Sequence, residues 1–466
     1  MGTLFRRFWQ PVSLSSRIAG PDGPPSRLRI LGENLIAFRD SNGDVGVLQA
    51  LCPHRRTQLF WGRNEEGGLR CAYHGWKFDV TGQCVDMPTE PPESNYKDRL
   101  RTIGYPVVER GGFVWVYMGP RDKEPGFPEY EWLDLPESQR MVFTGLQESN
   151  YLQALEGDVD TAHVSYLHRY LHPETAPRPA VFNRGYRDFV GQDVSPRLSV
   201  KRTDYGFLYG GRRTLDDGTY YWRCTPWMAP AATYLPTTGD LGQALIRVPI
   251  DDSYTLSAGL IWSRTGALPE GPDTTRRVRP VDPGPTRLAG GHVIDLPRGA
   301  TNLDNDYLID RAAEQDKFVG IQGGTNAEDR AVTESMGDLD RSQEHLASAT
   351  SPSSPCVAAC SPCCASWTRA PSPRPRGVRS SSGCAAGTSC PSRATSSCCS
   401  RRTPTTCSWA RRPPRPAEQT PARPTTTPIA RQRRRAPLRC LVPHAHVPSR
   451  GARRRPGRQP EVSDPC

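Results

Sequence analysis

Short apolar runs separated by turn residues characterise the first quarter of the chain. Leu28–Ile30, Asn34–Phe38, Val45–Leu48 and Phe113–Tyr117 are runs of this kind, and their length and spacing predict β-strands. Asn42-Gly43 separates the second run from the third. This dipeptide favours a two-residue hairpin turn in which both positions have a positive φ. The pattern therefore predicts a small antiparallel β domain.

Residues 196–264 also alternate between polar and apolar positions, with Gly, Pro and Asp at the turns. Candidate strands in this region are Tyr220–Arg223, Thr233–Leu235 and Leu256–Trp262. Before it, Arg121–Glu131 is rich in Pro, Gly and charged residues, which is typical of a linker. We expect a second domain built as a curved, helix-grip-like antiparallel sheet covered by helices.

These patterns together indicate the α+β class. The expected segments are an N-terminal helical segment at residues 1–19, a small β domain at 20–119, a second domain at 120–348 and a low-complexity tail at 349–466.

Composition changes abruptly after Ser348. Residues 349–466 contain 21 Arg, no Lys, three acidic residues and 11 of the 15 cysteines. Their formal charge is +18, whereas residues 1–348 carry −7, and the two together give the net charge of +11. A basic tail favours nucleic acid or a membrane surface as partner, and clustered cysteines favour disulfides or metal. An out-of-frame reading of a G/C-rich gene explains the composition better, and we expect a disordered tail.

The remaining 348 residues are mildly acidic and poor in cysteine. The sequence contains no signal peptide and no apolar run long enough to span a bilayer. A cytoplasmic location, with neither a membrane nor a nucleic acid as partner, is the expectation.

Two short segments each carry one cysteine and one histidine of a possible metal site. Cys52 and His54 form the first pair, Cys71 and His74 form the second, and sixteen residues lie between the two pairs. Thiolates suit zinc and iron–sulfur clusters, and imidazole suits zinc and iron. A Cys2His2 zinc site is the alternative, although zinc fingers bring cysteines and histidines as separate pairs. Two Cys-His pairs are the ligand set of a Rieske [2Fe–2S] cluster.

The surrounding residues resemble the Rieske domain of ring-hydroxylating oxygenase α subunits. Cys-Pro-His-Arg starts at Cys52, and Cys-Ala-Tyr-His-Gly-Trp-Lys-Phe starts at Cys71. The resemblance implies that Cys52 and Cys71 hold the ferric iron of the cluster and that His54 and His74 hold the redox-active one.

A second constellation lies in the mostly helix-compatible residues 150–168. Asp160 and His163 are three residues apart and share a helix face. His168 lies about 140° further round a straight helix, so both histidines reach one metal only if the helix bends, bulges or ends between them. Two histidines and a carboxylate form the facial triad of non-haem iron(II), whose open face is left for dioxygen and substrate.

Asp160-x-x-His163-x-x-x-x-His168 resembles the oxygenase α-subunit pattern, and the residues before it resemble the phthalate-dioxygenase branch. The resemblance implies that His163 and His168 are iron ligands. It also implies that Asp160 bridges His163 to a Rieske histidine of a neighbouring subunit, and hence a ring-shaped homotrimer. The alternative for Asp160 is an acid on a helix surface.

The third ligand must be a carboxylate further along the chain. Asp329 precedes Arg-Ala-Val-Thr-Glu-Ser-Met-Gly, a segment similar to the one that carries the ligand aspartate in the family. Asp316 and Glu328 are the alternatives.

The resemblance implies an oxygenase component that receives electrons from an NAD(P)H-dependent reductase, with or without a ferredoxin. Its iron would use O2 to hydroxylate or O-demethylate an aromatic substrate, with or without a carboxylate group. An electron-transfer protein without oxygenase activity and an inactive product truncated by a frameshift are the alternatives. Arginine binds carboxylates bidentately, so the following residues are candidates for substrate binding, or else ordinary surface or structural arginines: Arg184, Arg187, Arg202 and Arg223.

Overall fold

The computed structural model describes residues 3–172, 189–237, 239–268 and 284–345. By its internal contacts the chain divides into two units, Met1–Ala394 and Thr395–Cys466, and all described residues belong to the first. The tail expected at residues 349–466 lies outside the described residues. Within the described part, none of the helices combines the length and the apolarity that crossing a membrane requires.

The first part of the chain is built mainly of β-strands. The strands are β1 (Trp9–Leu14), β2 (Ser26–Ile30), β3 (Glu33–Arg39), β4 (Val45–Gln49), β5 (Arg63–Glu65), β6 (Gly68–Arg70), β7 (Lys77–Phe78), β8 (Cys84–Asp86), β9 (Val107–Arg110) and β10 (Phe113–Tyr117), with the short helix α1 (Tyr96–Arg99) between β8 and β9. They pair antiparallel in the orders β1-β10-β9, β2-β3-β4 and β5-β6-β7-β8. The predicted antiparallel β architecture is therefore confirmed.

The hairpin predicted at Asn42-Gly43 is confirmed, but its turn differs from the one expected. β3 and β4 pair antiparallel on either side of it. The side chain of Asp40 accepts hydrogen bonds from the N–H groups of Asn42 and Asp44, and in this pair of residues Gly43 alone has a positive φ, of 91°. The turn is longer than two residues because the Asp40 carboxylate organises it, as aspartate commonly does in turns.

The helical segment expected at residues 1–19 is wrong for Trp9–Leu14, which form β1 and pair with β10. Short 3-10 turns at Phe5–Arg7 and Ser15–Arg17 flank the strand. Five of its six residues are buried. A short run buried on both faces has no period of two, so its pattern does not distinguish a strand from a helix.

The second part is dominated by one large sheet. Its elements are β11 (Arg140–Gln147), α2 (Tyr151–Val159), β12 (Arg197–Arg202), β13 (Gly206–Thr214), β14 (Tyr220–Met228), β15 (Ala232–Tyr234), β16 (Leu241–Pro249), β17 (Thr255–Ser263), the small pair β18 (Thr286–Arg287) and β19 (Val293–Ile294), and α3 (Thr325–Ser335). The seven-stranded antiparallel sheet has the order β11-β17-β16-β15-β14-β13-β12. The expected antiparallel sheet with helices is confirmed.

Helix α2 is fixed at its start by a cap and along its length by apolar packing. Asn150 and Gln153 form a reciprocal capping box, which satisfies backbone N–H groups that the first helical turn leaves without partners. Leu155 and Val159 are buried with aromatic residues of β13 and β14, among them Trp227. The end of α2, where the candidate metal ligands begin, is thereby held against the sheet.

Candidate functional site

Cys52 and Cys71 occupy equivalent positions in two loops of the same shape. The N–H of each cysteine donates to the carbonyl five residues further on, at 2.8 Å in both loops. Each cysteine carbonyl accepts from the N–H four residues further on, that of Arg56 or of Gly75. Both of these residues have a left-handed φ, 62° for Arg56 and 74° for Gly75. The same backbone turn thus presents one thiol from each loop.

The two thiols are buried and lie close to each other. Cys52 is 1% exposed and Cys71 is 3% exposed. The hydrogen bond between them lowers the pKa of Cys71 to about 6 and raises that of Cys52. Two cysteine sulfurs side by side can hold one iron ion, to which both bind as thiolates.

The two histidines face one another beside these thiols. The rings of His54 and His74 have centroids 4.4 Å apart, and the ring of His54 stacks on that of Trp76 at 4.2 Å. Burial, and then the neighbouring His74, lower the pKa of His54, which favours the neutral imidazole that binds metals. The buried Nδ1 of His54 has no hydrogen-bond partner. A buried polar atom in that state is costly, and an iron ligand bond would satisfy it, so these residues fit a Rieske cluster.

The second constellation does not lie on a single helix. α2 ends at Val159, and Asp160 has the extended φ and ψ of −67° and 133°. A separate 3-10 turn follows at His163–Ser165. The stretch predicted to be helix-compatible is thus helical only up to Val159, and the 3-10 turn ends before His168, which lets both imidazoles approach one point.

His163, His168 and Asp329 come together at that point. One ligand atom from each of the three residues lies within 4.8 Å of the others. Asp329 Oδ1 is 2.9 Å from Nε2 of His168 and 3.5 Å from Nε2 of His163. Asp329 extends from α3, so the loop after α2 contributes two candidate ligands and a distant helix contributes the third.

The electrostatics of this group favour a cation at its centre. Burial lowers the pKa of His163, but Asp160 and Asp329 outweigh it and raise the pKa to about 9. Burial raises the pKa of Asp329, but His168 and His163 hold it well below its usual range. The carboxylates beside His163 and the imidazoles beside Asp329 thus make this point favourable for positive charge. The donor set is the one that non-haem iron(II) uses.

In both histidines of the group, a carboxylate lies next to Nδ1, the ring nitrogen that points away from Asp329. Nδ1 of His163 is 3.1 Å from Asp160 Oδ2, and Nδ1 of His168 is 2.7 Å from Glu328 Oε2. An N–H at Nδ1 leaves the Nε2 lone pair free for a metal. Glu328, an alternative ligand in the sequence, thus contacts His168 from behind. Asp316, the other alternative, has an exposed side chain.

Two residues that support the His163 loop were not found by sequence reasoning. The buried guanidinium of Arg213 donates to the carbonyl of Thr161 and to the hydroxyl of Ser165. A Cβ at Gly211 would clash with Thr161 Cγ2, so glycine allows β13 to approach the loop closely. The sequence contains only a weak signal for Arg213, because a charged residue within an apolar strand indicates that it needs a partner but not which one.

The candidate substrate arginines are only partly described. Arg202 is exposed at the end of β12, and Arg223 is half-buried in β14, opposite Gly211. Arg184 and Arg187 lie outside the described residues.

Comparison with known families matches both parts of the chain. The profile described as "Rieske [2Fe-2S] domain" matches residues 8–103. The profile described as "LigXa C-terminal domain like" matches residues 116–352, about half of the chain.

Three curated relatives match between 57% and 74% of this chain. The oxygenase subunit of phthalate 4,5-dioxygenase from Pseudomonas putida is 38% identical over 353 residues, which cover 74% of this chain and 78% of that protein. The oxygenase subunit of 3-chlorobenzoate-3,4-dioxygenase from Comamonas testosteroni is 38% identical over 366 residues, 74% of this chain and 81% of that protein. The oxygenase subunit of 5,5'-dehydrodivanillate O-demethylase from a Sphingobium species is 34% identical over 57% of this chain and 59% of that protein.

A crystal structure of dicamba monooxygenase bound to 3,6-dichlorosalicylic acid has the same fold. Its TM-score is 0.52 at 17% sequence identity, over 78% of this chain and 99% of that chain.

Proposed function

The chain belongs to the α subunits of Rieske non-haem iron oxygenases, in the branch that includes phthalate 4,5-dioxygenase, and on this premise we propose the roles of its individual residues. The protein is an oxygenase component that uses a [2Fe–2S] cluster and a mononuclear iron. We assign Cys52, Cys71, His54 and His74 to the cluster. We assign His163, His168 and Asp329 to the mononuclear iron.

The observation that carries the proposal is the arrangement of His163 and His168 about Asp329. Both rings direct Nε2 towards the same carboxylate oxygen, and both have a carboxylate at Nδ1. When bound, iron(II) in such a triad supplies an open face at which dioxygen and substrate meet. The residues of the chain hold the two imidazoles in the tautomer and orientation that the metal needs.

Asp160 has a second proposed role, as the link to the Rieske histidine of a neighbouring subunit in a homotrimer. Its Oδ2 contacts His163, while its Oδ1 accepts from the N–H of Ala162. The side chain is 28% exposed. A carboxylate that holds an iron ligand and still reaches the surface suits a bridge between two subunits.

The proposed substrate is an aromatic carboxylic acid. Two relatives that match most of their length are named for phthalate and for 3-chlorobenzoate, both of which carry a carboxylate on an aromatic ring. The family's members are oxygenase subunits of multicomponent systems, which receive electrons from a reductase or a ferredoxin. We propose an NAD(P)H-dependent reductase as the source and the cytoplasm as the location.

The test is the metal and sulfide content of the full chain, with an EPR spectrum after reduction. We expect iron and sulfide in a ratio of three to two and a Rieske-type signal. His163→Ala should lower that ratio to two to two and leave the signal intact. An equal ratio in the unaltered chain would instead indicate an electron carrier, and zinc without a signal would exclude the proposal. Product formation from phthalate and from 3-chlorobenzoate, with a reductase present, then tests the substrate class.

A further inference from the structure

Arg247 of β16 is a charged residue that is almost completely buried. Its side chain is 3% exposed, and that of its partner Asp158 is 6% exposed. Nη2 is 2.5 Å from Asp158 Oδ1, and Nε is 2.8 Å from Oδ2. This is the two-pronged geometry that makes an arginine–carboxylate pair strong. Burying two charges costs free energy, so such a pair needs further hydrogen bonds to be tolerated.

The remaining guanidinium nitrogen supplies those hydrogen bonds. Nη1 of Arg247 donates to Gln147 Oε1 at 2.7 Å and to Ser257 Oγ at 2.6 Å. Gln147 is the last residue of β11, and Ser257 lies in β17. The side chain of Arg247 thus joins three strands of the sheet to α2, which carries Asp158.

The network continues from Gln147 to the helix that carries the third candidate ligand. Gln147 Nε2 donates to the hydroxyl of Thr333 at 3.0 Å, and that hydroxyl donates to the backbone carbonyl of Asp329 at 2.8 Å. An unbroken series of hydrogen bonds therefore leads from Asp158 through Arg247 to Asp329. Asp158 lies two residues before Asp160, which holds His163.

These contacts connect the two halves of the triad. The loop after α2 brings His163 and His168, and α3 brings Asp329, so the spacing of the ligands depends on how α2 and α3 are held relative to one another. A displacement of about 1 Å in such a group has large consequences for chemistry. The Arg247 network contacts α2 through Asp158 and α3 through Thr333.

We infer that Arg247 is a positioning residue, which, with Asp158, fixes the loop of His163 relative to the helix of Asp329 and so sets the affinity for iron(II). This inference rests on the proposed function, because it requires that these residues bind iron. Arg247 contacts neither ligand side chain and acts through Asp158, Gln147 and Thr333.

The test compares iron(II) binding in variants of the full chain. Arg247→Met alone would leave the carboxylate of Asp158 buried without a partner, so the variant of choice is Arg247→Met combined with Asp158→Asn. We expect its affinity for iron(II), measured by competition with a chelator, to fall about 10- to 100-fold, the range observed when residues that orient metal ligands are changed. The Rieske signal should keep its amplitude.

Arg27 and Asp295 provide the control, an ion pair whose side chains are 20% and 28% exposed. They form another two-pronged pair, with Nη2 to Oδ1 at 2.7 Å and Nε to Oδ2 at 3.3 Å, between β2 and the residue after β19. Arg27→Met with Asp295→Asn removes an ion pair without contacting either ligand segment, and its iron(II) affinity should be unchanged. Equal losses in the two double variants would overturn the inference, because affinity would then follow general stability.

Thr333→Val tests the same network without removing a charge and covers the case in which the double variant does not fold. It keeps the side-chain volume and breaks the series between Gln147 and Asp329, so we expect a several-fold weaker affinity. If Thr333→Val and the double variant both keep their affinity for iron(II), the inference is overturned and the proposed function still stands. Iron binding in the unaltered chain that is insensitive to His163→Ala would overturn the proposed function and the inference with it.

Discussion

Glu328 Oε2 lies 2.7 Å from Nδ1 of His168, although 160 residues separate the two in sequence. Both side chains are buried, at 5% exposure for His168 and 2% for Glu328. The other oxygen of Glu328 contacts the ammonium group of Lys317. Glu328 therefore orients one candidate iron ligand from behind while its neighbour Asp329 faces the same histidine from the front.

The first prediction concerns this orienting contact. Glu328→Gln keeps the size of the side chain but weakens the acceptor for the Nδ1–H of His168, so iron(II) affinity should fall about 10- to 100-fold. Chelator competition on the full chain measures it. Asp316→Asn is the control, because its side chain is exposed, and it should bind iron as the unaltered chain does. Equal affinities of Glu328→Gln and the control would contradict the orienting role.

The second prediction concerns the stability of the same group. Lys317→Met removes the cation that pairs with Glu328, whose side chain is 2% exposed, and leaves this buried carboxylate with His168 as its remaining partner. Removing one member of a buried pair costs about 3–5 kcal/mol, and since the Lys317 side chain is 16% exposed we expect the lower end of this range. Urea unfolding measures the change. Adding Glu328→Gln to Lys317→Met should recover part of the loss, and no recovery would mean that Lys317 stabilises the fold through other contacts.

The local patterns in the sequence indicated the parts of each site that lie close together along the chain. Cys52 with His54, and His163 with His168, have spacings that a single loop determines. The hairpin at Gly43 could likewise be predicted, because its signal is contained in a few residues.

Relationships over long distances could not be obtained in this way. That Glu328 lies behind His168, and that Gly211 passes close to Thr161, depends on how β13 and α3 pack against the loop after α2. A helix pattern and a strand pattern do not contain this information. The helical interpretation of residues 9–14 is wrong because burial on both faces removes the period that identifies a strand. A family resemblance favours Asp329 over Asp316, whereas spacing alone leaves both open.

The third prediction concerns the cluster. His54→Cys together with His74→Cys gives a four-cysteine ligand set, so the Rieske-type EPR signal should be replaced by one typical of four-cysteine clusters, and the reduction potential should fall by a few hundred millivolts, since histidine ligands raise it. Potentiometric titration followed by EPR measures both. Cys84→Ser is the control. The Sγ of Cys84 donates to the carbonyl of Asp86 at 3.5 Å, so this thiol already has a partner within its own strand. A changed signal in Cys84→Ser would contradict the proposed ligand set.

The fourth prediction concerns the close approach of β13 to the His163 loop. A Cβ at Gly211 would clash with Thr161 Cγ2, and the loop there is held by Arg213. Gly211→Ala should therefore displace the loop, destabilise the fold by about 1–3 kcal/mol and weaken iron(II) binding. Gly145→Ala, also in a strand but with open space around its Cβ, should change neither.

Thr161→Ser provides the decisive partner for Gly211→Ala. It removes Cγ2 but keeps the hydroxyl to which Arg213 Nη1 donates at 3.1 Å. If the clash is the cause, the double variant Gly211→Ala with Thr161→Ser should regain most of the stability and the iron(II) affinity that Gly211→Ala loses. Urea unfolding and chelator competition measure the two quantities separately. A double variant as impaired as Gly211→Ala alone would show that glycine is needed there for its backbone and not for the space it leaves, and the loop of His163 would then be held by Arg213 without help from the close approach of β13.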